Sequence, residues 1–266
     1  MVENLNTNKI YDILNSTIIT ADRWLKKYGH RNFKYNILCF SDTILLWPTT
    51  DSKESYEHLI FLGRIIFCDL LAHKIPVRGT IVYGDFNVKK DASHKHQLFW
   101  GKSLINAYIT EKKENWLGIT INPSAYNNYL TKGKVFSEIK KGVKDRLWYY
   151  RSKDKYLLLN PFFFTNIYFE EYCHEDIILT SIYNQYLRVE KMAFNFIRDR
   201  ARFYSRKRHN DRTAKKYYTT NRFIKNMLGK DRYNWVSGII HTNDRYDTLE
   251  EKEKAYLPNY LPPSYG

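Results

Sequence analysis

Apolar residues near the start of the chain, Ile10, Ile13, Leu14, Ile18, Trp24 and Leu25, recur mostly at three- and four-residue steps, which predicts a helix over 3–28 closed by Gly29. From 35 to 47 the chain is almost continuously apolar. That run predicts a buried strand or a two-strand hairpin turning near Ser41-Asp42, followed by a turn at Pro48-Thr-Thr-Asp51. Helical spacing returns at Leu59, Leu62, Ile66, Leu70 and Leu71, giving a helix over Ser55 to His73 that Pro76 stops. Val77 to Tyr83 reads as a buried strand carrying the small Gly79. Lys89 to Lys95 reads as an exposed polar loop. Gly101 opens a helix to about Lys113, and Leu117 to Ile121 is a short strand. Two further apolar segments, Leu147 to Tyr150 and Tyr156 to Leu159, predict a hairpin around the charged turn Arg151 to Lys155.

Beyond Asn160-Pro161 the pattern becomes purely helical. One long helix is predicted over Glu175 to Arg208, apolar at Ile178, Ile182, Tyr186, Val189, Phe196 and Ile197. A second spans Thr213 to Met227 and ends at Gly229, and the proline-rich end, Tyr256 to Gly266, reads as an extended arm. Long helices alternating with short β-branched strands predict an α/β or α+β fold. The chain divides into a mixed unit over 1–165 and a basic helical extension over 166–266, with no internal repeat.

Composition adds the partners. A hydrophobic share of 43% supports a sizeable core, and 23 Tyr build much of it from rings with a polar end. The formal charge of +15 favours acidic partners. Between Gln185 and Arg232 stand 15 Lys or Arg against four acids, so most of the excess sits in the extension. Arg198, Arg202, Arg206, Lys207, Arg208, Lys215 and Lys216 are the candidates for contacting nucleic-acid phosphates or an acidic partner, with Tyr204, Tyr217 and Tyr218 available for stacking. The competing reading is a solvated helix surface. Cys39, Cys68 and Cys173 lack metal-ligand spacing and read as buried, reduced thiols. With no signal-peptide pattern and no apolar run near bilayer length, the expected location is cytoplasmic, without a membrane.

Chemistry points to Asp42, an acid in the middle of an apolar run. Three blocks stand in order around it: Phe40-Ser-Asp-Thr-Ile44, Val77-Arg-Gly-Thr-Ile-Val-Tyr-Gly84 and Phe99-Trp-Gly-Lys-Ser-Leu-Ile-Asn-Ala-Tyr108. Together they resemble the catalytic domain of class III nucleotidyl cyclases, in particular the bacterial antiviral branch that makes cyclic pyrimidine nucleotides. The resemblance covers about residues 35–125. It implies a ferredoxin-type mixed sheet flanked by helices, and a site at a homodimer or hetero-oligomer interface. In such a site two metal ions, Mg or Mn, neutralise a triphosphate while a base-activated hydroxyl attacks it. On this resemblance Asp42 and Asn106 take catalytic positions and Asp42 with Asp85 the metal positions. Phe40, Ser41, Arg78 and Lys102 then bind the nucleotide.

The sequence also departs from that pattern. No strand bearing a first metal aspartate is read some forty residues before Asp42. Counted from Gly101, the family's catalytic Asn and Arg fall on Ile105 and Ile109, and Asn106 points about 100° away on a helix. The positions that select purine bases fall near Leu38 and Leu98. Three functions follow: a degenerate cyclase-like protein that binds a nucleotide or partner in a regulatory or antiviral-defence role, an active cyclase with an unusual metal set, or a nucleic-acid-binding module using the basic helices.

Overall fold

The computed structural model describes residues 7–27, 33–40, 43–90, 97–130, 134–144, 147–162, 181–206 and 211–243. Helix α1 (Thr7–Lys27) buries Ile13, Thr17, Ala21 and Leu25, one residue per turn along a single stripe. Strands β1 (Tyr35–Phe40) and β2 (Thr43–Pro48) pair antiparallel from Tyr35↔Pro48 to Phe40↔Thr43. Of the two readings of this apolar run, the hairpin is therefore the right one. Gly29, Ser41 and Asp42 lie outside the described residues.

Helix α2 (Lys53–Ala72) starts at Ser52, whose Oγ accepts the backbone N–H of Ser55, with Glu54 in the first turn favouring the positive end of the helix dipole. Its end lies earlier than Pro76. Lys74 takes a left-handed conformation (φ 64°), its N–H donates to the Leu71 carbonyl, and the Ile75 N–H donates to that of Leu70. These two bonds form a Schellman motif, here with a lysine in the place glycine usually holds.

Strand β3 (Gly79–Ile81) is shorter and more exposed than the predicted 77–83 strand. The predicted loop at 89–95 needs a larger correction. Asn87–Lys90 is strand β4 and pairs antiparallel with β5 (Gln97–Trp100), while 91–96 lie outside the described residues. Charge density hid this strand, because only Val88 interrupts its polar run. The hairpin is instead anchored by rings on its flanks: Trp47 lies 5.0 Å from Phe86 and 6.2 Å from Phe99, centroid to centroid.

Helix α3 (Lys102–Lys113) leads to β6 (Ile119–Ile121), then to α4 (Pro123–Tyr129) and α5 (Val135–Lys144). Strands β7 (Trp148–Arg151) and β8 (Tyr156–Leu159) form the predicted hairpin. The principal sheet has the order β3-β6-β8-β7, parallel between β3 and β6 and antiparallel elsewhere. The chain thus has a mixed α+β fold.

Helix α6 (Ser181–Arg206) falls within the predicted long helix, and α7 (Arg212–Asn243) runs beyond the predicted end. Gly229 does break α7, with φ 77° and ψ 170°, but helix resumes after it. These helices are not an appendage to the core. Phe194, Ile197, Ala201, Tyr217, Ile224 and Leu228 share one apolar cluster with Tyr56, Phe67 and Leu71 of α2 and with Ile121, Leu157 and Leu159 of the sheet. The opposite face of α2, through Leu62, Ile65, Ile66 and Leu70, packs on α1 and the β1-β2 hairpin. A helix apolar on all sides belongs in the interior, and α2 is that helix.

Candidate functional site

The second and third sequence blocks meet where α3 begins. Gly101 (φ 145°) precedes α3 so closely under the chain at 85–86 that a Cβ there would overlap the Asp85 carbonyl. That carbonyl accepts the Ser103 Oγ at 2.8 Å and the Ser103 N–H at 3.3 Å, satisfying one of the free donors of the helix start. Gly84 packs on Ser103 from the other side. The glycines and the serine of the two blocks therefore hold β3 to α3, which is a structural duty.

The candidate site residues are dispersed. Asp42 and Ser41 lie outside the described residues, and Phe40 is the last residue of β1, paired with Thr43. Asp85 is exposed next to Phe86, whose ring meets Trp47. Among the described residues no three His, Cys, Asp or Glu side chains gather in one group. Lys102 and Asn106 are both exposed on one face of α3.

The centre of that face is apolar. Ile105 is 59% exposed, Tyr108 61% and Ile109 43%, and the adjoining β5 adds Leu98 at 61% and Trp100 at 48%. Single exposed apolar residues are ordinary, but five of them on one helix and on the strand that leads into it make a candidate contact surface. The two isoleucines occupy the positions at which the cyclase resemblance expects the catalytic Asn and Arg.

Arg78 does not face this surface. Its guanidinium pairs with Glu111 and donates to the Glu114 carbonyl at 3.1 Å, bracing β3 against the far end of α3. Beside it the buried Glu114 carboxylate receives Arg151 through two bonds, 2.6 and 3.0 Å, and Arg151 also pairs with Asp154. These acids hold the Arg151 guanidinium in its charged form against the cost of its partial burial. Neither pairing had a sequence signal, since the partners are distant along the chain.

A second group escaped the sequence reading as well. Asp51 accepts the Tyr83 hydroxyl at 2.9 Å and the Tyr129 hydroxyl at 2.6 Å, and the Tyr129 ring stacks on Tyr56. Burial, followed by the Asp51 carboxylate, raises the Tyr129 phenol above its ordinary range, and the hydrogen bond to Asp51 leads the rise at Tyr83.

The basic helices need two corrections. Arg198 is buried, donates to Asp199 at 3.0 and 3.1 Å and lies over the Phe194 ring, so it is not part of an exposed basic face. Tyr217 is buried too, stacked on Tyr204 at 5.6 Å, and burial pushes its phenol up to about 12, so it offers no ring for a base. Arg202, Arg206 and Lys215 are exposed, Lys216 and Tyr218 are half-buried, and Lys207 and Arg208 lie outside the described residues. No helix among the described residues is long and apolar enough to cross a membrane.

Comparison of the chain with protein-family models, with curated proteins and with solved structures finds no match.

Proposed function

We propose that this chain is a catalytically degenerate, cyclase-like protein that works by binding, with the outward face of α3 and the β4-β5 hairpin as its contact to a second copy. The observation that carries the reading is the exposure of Ile105 and Ile109 beside Tyr108, Leu98 and Trp100. In the enzymes that the sequence blocks resemble, the residues at these two positions reach into the partner's active site. Isoleucine can neither orient a ribose nor stabilise a transferring phosphoryl group, whereas it gains by being removed from water. The same geometry therefore favours association over chemistry. Mg or Mn belongs to the resemblance alone, and no metal-dependent step is part of the reading. A regulatory or defence role for a nucleotide- or partner-binding protein fits this arrangement.

Two measurements test it. Incubation of the full chain with each nucleoside triphosphate and Mn²⁺ is expected to yield no cyclic nucleotide. Sedimentation should show a concentration-dependent dimer that Ile105→Glu with Ile109→Glu converts to a folded monomer, because both residues are already exposed. Appearance of a cyclic product, or a wild-type chain that stays monomeric at high concentration, would sink the reading.

A further inference from the structure

The other end of α3 carries a different feature. Helix α7 starts against it: the Arg212 guanidinium donates to the Lys112 carbonyl at 3.4 Å, and two turns later the Thr220 hydroxyl accepts the Leu117 N–H at 2.7 Å. Residues 212, 216 and 220 repeat at four-residue steps and so share one stripe of α7. Lys216, between the two anchored residues, consequently faces the segment from Glu111 to Leu117, where the Arg78 guanidinium also lies.

Three cations thus lie along the joint that holds Glu111. Arg78 is already paired with Glu111, Arg212 is held by a neutral carbonyl, and Lys216 has no ion-pair partner among the described residues. The neighbouring acids are committed elsewhere. Glu114 is taken by Arg151, and Asp211 turns its carboxylate to the Ala214 N–H at the start of α7. Lys216 is half-buried, and its ammonium is pushed below its ordinary range by burial and then by Arg78 and Arg212, with Glu111 opposing. Like charges gathered where one of them is half-buried repel unless an anion joins them.

We propose that the joint between the end of α3 and the start of α7 binds a dianionic phosphate group through Arg78, Arg212 and Lys216. Two net positive charges stand over one carboxylate, and a phosphate dianion matches them. Arg212 and Lys216 supply its donors, and Arg78 shares its fork between the ligand and Glu111. Inorganic phosphate and the terminal phosphate of a nucleotide share this chemistry, and the arms of the test distinguish them. The site is separate from the apolar face of α3 and stands or falls without it.

The test uses the full chain in titration calorimetry and thermal unfolding, with inorganic phosphate, pyrophosphate and a nucleoside 5′-monophosphate as probes and sodium chloride at matched ionic strength as the control. Phosphate is expected to raise the unfolding midpoint above the chloride control. Lys216→Met should weaken its binding about tenfold or more, as loss of a charged donor does. Arg212→Gln, on an exposed residue that cannot threaten the core, should weaken it in the same direction. Equal affinity for phosphate and the monophosphate means the group alone is read; tighter nucleotide binding means the sugar or base is also held. The proposal is overturned if phosphate acts no differently from chloride, or if both variants respond to phosphate as the wild-type chain does.

Discussion

The carbonyl oxygen of Asp85 accepts both the hydroxyl and the backbone N–H of Ser103, so the loop between β3 and β4 caps the first turn of α3. The bond requires the chain at 85–86 to lie directly over Gly101, where no side chain fits. A serine and a glycine that resemble part of a nucleotide site are in this way accounted for by packing.

Replacing Gly101 by alanine should therefore be costly. The residue sits at φ 145°, a conformation that side-chain-bearing residues rarely adopt, and the added methyl meets the Asp85 carbonyl. A loss of about 1–3 kcal/mol is expected in urea unfolding, whereas Ser103→Ala, which removes only the cap, should lose about 1 kcal/mol.

Lys74 gives the opposite case. It holds a left-handed conformation at the end of α2, in the position where glycine costs least. Lys74→Gly should stabilise the chain by up to about 1 kcal/mol, read as a higher unfolding midpoint, because the strain of a Cβ there exceeds the added freedom of the unfolded glycine.

Burial raises the Asp69 carboxyl above its ordinary range, and the hydroxyl of Thr17 and the nearby His73 only partly oppose that. An acid whose folded pKa is raised contributes fully below its unfolded pKa and loses that contribution as pH climbs through the folded value. Asp69→Asn, which keeps an acceptor for Thr17, should then raise the thermal midpoint at neutral pH, by about 1 kcal/mol of stability. The gain should shrink as pH falls through the folded pKa and vanish below the unfolded one. A gain that stays constant with pH would refute the account.

Arg151 neutralises Glu114, whose side chain is 4% exposed, while Asp154 beside it is 35% exposed. Arg151→Met leaves a buried carboxylate alone and should cost about 3 kcal/mol or more in urea unfolding. Asp154→Asn leaves the Arg151–Glu114 pair in place and should cost less than about 1 kcal/mol.

Much of the fold was legible in the residue pattern. The helical steps of Ile13, Leu14, Ile18 and Leu25 marked α1, those of Leu62, Ile66, Leu70 and Leu71 marked α2, and the unbroken apolar run at 35–47 marked a hairpin or a strand. Each signal is local, because periodicity records which face of an element leaves water. β4 was missed because its stability comes from rings on its flanks, Phe86 and Phe99 on Trp47, and not from its own lysines.

What only the tertiary structure decided is which faces meet. Arg78 joins Glu111 across 33 residues and Arg151 joins Glu114 across 37, and no spacing rule predicts either pair. Arg198 and Tyr217 read as surface residues in a basic helix, yet α6 and α7 turn them inward because the apolar cluster around α2 is completed by those helices. Ile105 and Ile109 stand where the resemblance expects a catalytic Asn and Arg, and the fold leaves them in water. An element's own sequence states that it has an apolar face; whether that face is covered depends on residues far away in the chain, whose packing is set by the whole core.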